Sequence, residues 1–94
     1  MVVTEPTDDL LIESLLIEYI TKELATSPEM LPIRRDTRLF ESYVLDSLSL
    51  LQLVLHIEKR FRIVVKPDEM VPQNFETIAA ICKYLRTKLA RTSE

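Results

Sequence analysis

The stretch Asp46-Ser47-Leu48-Ser49-Leu50-Leu51-Gln52-Leu53-Val54-Leu55-His56-Ile57-Glu58-Lys59-Arg60-Phe61 decides the fold class. It holds no proline or glycine, and its apolar positions recur at three and four, so the spacing predicts a helix from Ser47 to about Phe61. Ser47 is a candidate N-cap, since serine is favoured where a helix begins. Advancing by about 100° per residue from Ser47 divides the side chains into three sectors. Leu50, Leu53, Val54, Ile57 and Phe61 fall together and form the expected core face. Ser49, Gln52, His56, Lys59 and Arg60 form a polar face, expected to meet water. Leu48, Leu51 and Leu55 make a second apolar stripe that starts beside Ser47. Each exposed leucine forgoes roughly 1.5–3 kcal/mol of burial. A small bundle cannot easily cover a helix on all sides, so this stripe reads as a binding surface.

Outward from this helix the chain reads as helical throughout. Upstream, Thr7 is a candidate N-cap with Asp8 and Asp9 in the first turn, and Ile12, Leu15, Leu16, Tyr19 and Ile20 keep helical spacing to about Ala25. A long connection to Asp46 holds Pro28, Pro32, the apolar anchors Ile33, Leu39 and Phe40, and the basic cluster Arg34, Arg35 and Arg38, expected to pair with the acidic first helix. Downstream, β-branched Ile63, Val64 and Val65 precede Pro67, which opens a brief element over about Asp68 to Val71, interrupted by Pro72 and Asn74. A last helix is predicted from about Glu76 to Leu89, with basic residues crowding its end and Arg91 to Glu94 frayed. The expectation is an all-α fold: one domain over residues 1–94, core about 7–89, with three larger helices and one short one.

Composition limits the function. The 94 residues carry no glycine, which disfavours tight hairpins and phosphate-cradling loops. A net charge of -3 gives no general attraction to nucleic acid. One cysteine and one histidine supply neither an internal disulfide nor a structural zinc set, and predict a reducing, metal-free setting. The acidic start and the lack of a long apolar run predict a cytoplasmic protein without a membrane span. With no base paired to Ser47, no catalytic residue is assigned and no enzyme activity is expected.

Three segments taken together resemble the acyl carrier protein family, which includes peptidyl and aminoacyl carrier proteins. They are Asp36-Thr37-Arg38-Leu39-Phe40-Glu41, then Asp46-Ser47-Leu48 with the helix ending Ile57-Glu58-Lys59-Arg60-Phe61, then Val71-Pro72-Gln73-Asn74-Phe75-Glu76-Thr77-Ile78. The resemblance covers nearly the whole chain. It implies a carrier bundle whose Ser47 bears a covalent 4'-phosphopantetheine arm installed by a phosphopantetheinyl transferase. Asp46 would help orient the transferase's metal and cofactor. Leu48, Leu51, Leu55 and Glu58 would meet the enzymes that load and process an acyl or aminoacyl thioester. A monomer is implied.

Two departures from the family pattern stand out. Val44 occupies a position where these carriers commonly place glycine, so the approach to Ser47 must turn without it. The helix after Ser47 holds Glu58 as its one acid and carries Lys59 and Arg60 at its end, with Arg62 just beyond. A specialised lipid, polyketide or nonribosomal peptide pathway therefore fits better than bulk fatty acid synthesis. Cys82 is expected to be a small buried hydrophobe and His56 a surface residue. The competing reading is a helical adaptor that binds a partner through Leu48, Leu51 and Leu55 without a prosthetic group.

Overall fold

The computed structural model describes residues 9–25 and 27–92. The proposed cap Thr7 and its neighbour Asp8 lie outside them, as do Ser93 and Glu94. Four helices follow in order: α1 Asp9–Tyr19, α2 Ser47–Phe61, α3 Pro72–Phe75 and α4 Ile78–Thr92. No strand occurs among the described residues, so the all-α expectation holds, with three long helices and one short one.

α1 runs on through Ile20–Leu24 in a widened turn, where the Ala25 N–H donates five residues back to the Ile20 carbonyl at 2.8 Å. Its buried positions Ile12, Leu16, Ile20 and Leu24 repeat every four residues. At 3.6 residues per turn, such a run drifts about 40° per step. A π-type turn advances fewer degrees per residue and keeps Leu24 facing the core.

The long connection is fastened down at several points. Ile33 and Leu39 are buried, with Phe40 packed against the core beside them. The Leu39 N–H donates to the Glu76 carbonyl at 2.9 Å, and the Ala79 N–H to the Arg35 carbonyl at 3.0 Å, so the loop is stitched to the α3–α4 junction. Arg35 Nε reaches Glu13 Oε2 on α1 at 2.7 Å, the pairing expected of the basic cluster, while Arg38 turns to Glu41 at 3.0 Å. With no glycine available, two residues among those described take the left-handed backbone: Tyr43 at φ 64° and Arg62 at φ 56°. Arg62 follows α2 and ends it, the place where glycine is common. Val44 is buried and is not the turning residue; Tyr43 makes the turn one position earlier.

After α2 the chain is extended, burying Ile63 and Val65 and exposing Val64. A single 3₁₀ turn spans Pro67–Glu69, so the short element expected over 68–71 ends at Glu69, and the short helix forms at Pro72–Phe75 instead. Pro72 does not interrupt a helix; it sits at the first position of α3, where its missing N–H has no ladder partner to lose. The last helix starts later than expected, at Ile78, because Thr77 Oγ1 accepts from the Ala80 N–H at 3.0 Å and caps it; it continues to Thr92. Glu69 then ties the short elements to α4. Its carboxylate accepts from the Lys66 N–H at 3.0 Å and the Tyr84 hydroxyl at 2.8 Å, and pairs with Lys88 Nζ at 3.0 Å. Burial alone would raise its pKa, but these three partners outweigh that and draw it to about 2. Cys82 is buried in the core, as expected of a small hydrophobe.

Candidate functional site

The N-terminus of α2 is closed by a reciprocal pair of side chains. Asp46 Oδ1 accepts from the Ser49 N–H at 2.9 Å, and Ser49 Oγ accepts from the Asp46 N–H at 2.8 Å. Asp46 is therefore the N-cap, and Ser47 is not; it occupies the first helical position. Ser47 is exposed, and no hydrogen bond among the described residues uses its hydroxyl. The Ser49 N–H and hydroxyl both favour the charged form of Asp46 and lower its pKa, so a carboxylate stands beside Ser47 at neutral pH. Behind them Tyr43 holds the left-handed turn and is 81 % exposed.

The three sectors of α2 separate as read. Leu53, Val54, Ile57 and Phe61 are buried; Leu50, at the edge of that face, is half-buried. Leu48 is 66 % exposed, Leu51 47 % and Leu55 54 %, a continuous apolar stripe running from Ser47. Glu58 is half-buried, and its Oε2 accepts from the Val65 N–H at 2.9 Å, so it anchors the extended segment as well as lying near the stripe.

The polar sector departs from expectation at His56. Its ring stacks on Tyr19 of α1, with centroids 3.8 Å apart and planes 8° from parallel. Burial and the neighbouring Arg60 lower its pKa against the pull of Glu23, which keeps it neutral at pH 7. Its helical register alone places His56 toward water; the approach of α1 half-covers it. Beside this stack an open groove of about 610 Å³ is lined by Tyr19, Gln52, Leu55, His56, Glu58 and Lys59.

The chain matches the family described as phosphopantetheine attachment site over residues 14–85. It belongs to that family. No curated protein matches the chain. The prosthetic group of this domain is 4'-phosphopantetheine, joined covalently to a serine, and the protein is a carrier of that group. Carrier domains of this kind work with phosphopantetheinyl transferases and biosynthetic enzymes. The residues around Ser47 suit a phosphodiester. The hydroxyl is accessible and is spared from capping, and it stands at the positive end of α2, where the Ser49 N–H is already engaged by Asp46. When bound, the group supplies a terminal thiol that holds a substrate as a thioester. Among the described residues, no helix is long and apolar enough to cross a membrane.

Proposed function

We propose that Ser47 is the acceptor of the arm, and that the protein is a discrete, cytoplasmic, non-catalytic carrier of acyl or aminoacyl thioesters in a specialised lipid, polyketide or nonribosomal peptide pathway. The observation that carries this reading is the exposed, unbonded hydroxyl of Ser47 at the first position of α2, with the cap made by its neighbours. Asp46 remains ionised beside it, with Oδ1 engaged by Ser49, and serves the transferase's metal and cofactor. Leu48, Leu51 and Leu55 form the surface read by partner enzymes, with Glu58 at its far end. That surface is apolar and meets Lys59 and Arg60 instead of a run of carboxylates, which favours partners without a strongly basic patch. Tethering to such a protein raises the local concentration of substrate at each successive enzyme.

The test is to incubate the apo-protein with a broad-specificity transferase and coenzyme A. Intact-mass spectrometry is expected to show one phosphopantetheine added to the wild type and none to Ser47→Ala. Modification of Ser47→Ala at another serine would overturn the assignment. An adaptor that works through the leucine stripe alone would keep its partner after Ser47→Ala, whereas a carrier loses turnover of its pathway.

A further inference from the structure

Tyr43 carries two costs that the fold does not recover. Its backbone is left-handed, at φ 64°, a region that crowds a Cβ against the following carbonyl and that glycine or asparagine enters more easily. Its side chain is 81 % exposed, and no hydrogen bond or ring contact among the described residues uses it. The turn is nevertheless held firmly. The Tyr43 N–H donates to the Phe40 carbonyl at 3.1 Å, the Leu45 N–H to the Leu39 carbonyl at 2.9 Å, and Val44 and Leu45 are both buried. The ring therefore projects from a fixed point of the backbone. A turn that needed only its own geometry is made at lower cost by asparagine or glycine, so the reason for an aromatic side chain here lies outside the fold.

The ring stands at the rim of the acceptor region. Tyr43 shares a hollow of about 160 Å³ with Asp46 and Leu48, the residues on either side of Ser47 in the chain, and with Ser49 and Gln52. Leu48 is 66 % exposed and opens the leucine stripe, so Tyr43 extends that apolar surface past the start of α2 and onto the loop. This position selects among partners. Esterification of Ser47 by coenzyme A joins its Oγ to the phosphorus nearer pantetheine and breaks the bond from that phosphorus to the bridging oxygen. Adenosine 3',5'-bisphosphate leaves, and the serine proton passes to the enzyme or to solvent. The reacting phosphorus has to come within about 3–3.5 Å of Oγ, so the transferase covers the residues around Ser47. Enzymes that act on the thiol work at the far end of the arm, about 16 Å away when it is stretched like five residues of extended chain, and need not cover Tyr43.

We propose that Tyr43 is a recognition residue for the phosphopantetheinyl transferase, its ring buried on docking in an apolar recess of the enzyme next to the contact made by Leu48. The proposal rests on Ser47 as the acceptor. A tyrosine brings a large contact surface at a low cost in side-chain freedom, and the left-handed turn fixes its direction in advance. The strain is held in the free protein and serves binding, because the ring is already placed when the enzyme arrives.

The experiment follows modification of the full chain by the broad-specificity transferase and coenzyme A, read by intact mass and by release of adenosine 3',5'-bisphosphate. The wild type is expected to gain one group on Ser47; failure at this step removes the acceptor assignment and is distinguishable from failure of the Tyr43 contact. Tyr43→Gly and Tyr43→Asn suit a positive φ, so their Tm is expected to hold or to rise by up to about 5 °C. Their kcat/KM is expected to fall about 5- to 20-fold, the effect of one well-buried interface side chain, through a higher KM for the carrier with the KM for coenzyme A unchanged. Tyr43→Phe keeps the ring surface and is expected to stay within about 2-fold of the wild type. Val64→Ala, which trims another exposed apolar side chain beyond the far end of α2, is expected to change neither Tm nor rate. Modification of Tyr43→Gly and Tyr43→Asn at the wild-type rate would overturn the proposal. So would a loss of rate matched by a lower Tm, which assigns the ring to the fold, or one confined to the KM for coenzyme A, which assigns it to the cofactor.

Discussion

Asp46 and Ser49 together close the start of α2, and this leaves Ser47 with no part in holding the helix. Replacing Ser49 by alanine removes the bond to the Asp46 N–H and one of the donors to its carboxylate, at a cost of about 1 kcal/mol. In a domain of this size that loss lowers the Tm by about 4–8 °C. Ser47→Ala is expected to stay within about 0.5 kcal/mol of the wild type, since no hydrogen bond is lost. Thermal melts of the two apo variants check this contrast, and a larger loss for Ser47→Ala than for Ser49→Ala would show that the acceptor bears structural load. That the cap falls on Asp46 and not on Ser47 has a physical reason. Aspartate and serine are about equally good caps, and only the backbone, extended at Asp46, decides between adjacent candidates.

At the scale of elements, the Glu69 cluster joins the Pro67 turn, the Lys66 backbone and α4 through one carboxylate. Its pKa of about 2 lies below the ordinary 4.5, so the unfolded chain takes up the proton first. The stabilisation is complete above pH 4.5 and is lost as pH falls toward 2. Tyr84 mirrors it: burial, then the bond to Glu69, raises its pKa above 10, so stability on that side is lost as pH rises past 10. Denaturant midpoints between pH 5 and 2.5 are expected to fall for the wild type and to flatten for Glu69→Gln. Equal slopes would remove Glu69 from the acid response. How much of these elements is legible in the sequence depends on whether their signals are local. The extent of α2 is legible because its periodicity and unbroken apolar run lie within it, although its cap falls on Asp46 and not on Ser47. Pro72 misleads because proline both ends helices and begins them, and Thr77 gives no sign in the periodicity that it caps α4. The widened end of α1 and the Tyr19–His56 stack depend on how two helices approach, which no single-helix pattern encodes.

Across the whole molecule, α2 faces the core on one side, a leucine surface on the second and the groove against α1 on the third. Leu51→Asp is expected to leave the helical circular-dichroism signal nearly intact while slowing modification by the transferase or subsequent acyl loading. Leu53→Asp buries a charge at a fully covered position, a penalty of several kcal/mol against a total stability of about 5–15 kcal/mol, and is expected to unfold the domain. Equal loss of helicity in both would mean that the stripe is core. The candidate serine and the leucine surface are legible because both are carried by one helix's register. The groove is not, because Tyr19 of α1 completes its wall and no pattern within α2 shows that approach.

With Ser47 as the proposed acceptor, the capping arrangement has a further consequence. Fastening α2 through Asp46 and Ser49 means that esterifying Ser47 breaks no bond of the folded state, and removing the ester restores none. Attachment of the arm therefore draws nothing from the free energy that keeps the bundle together, and each later round of loading at its thiol starts from the same scaffold.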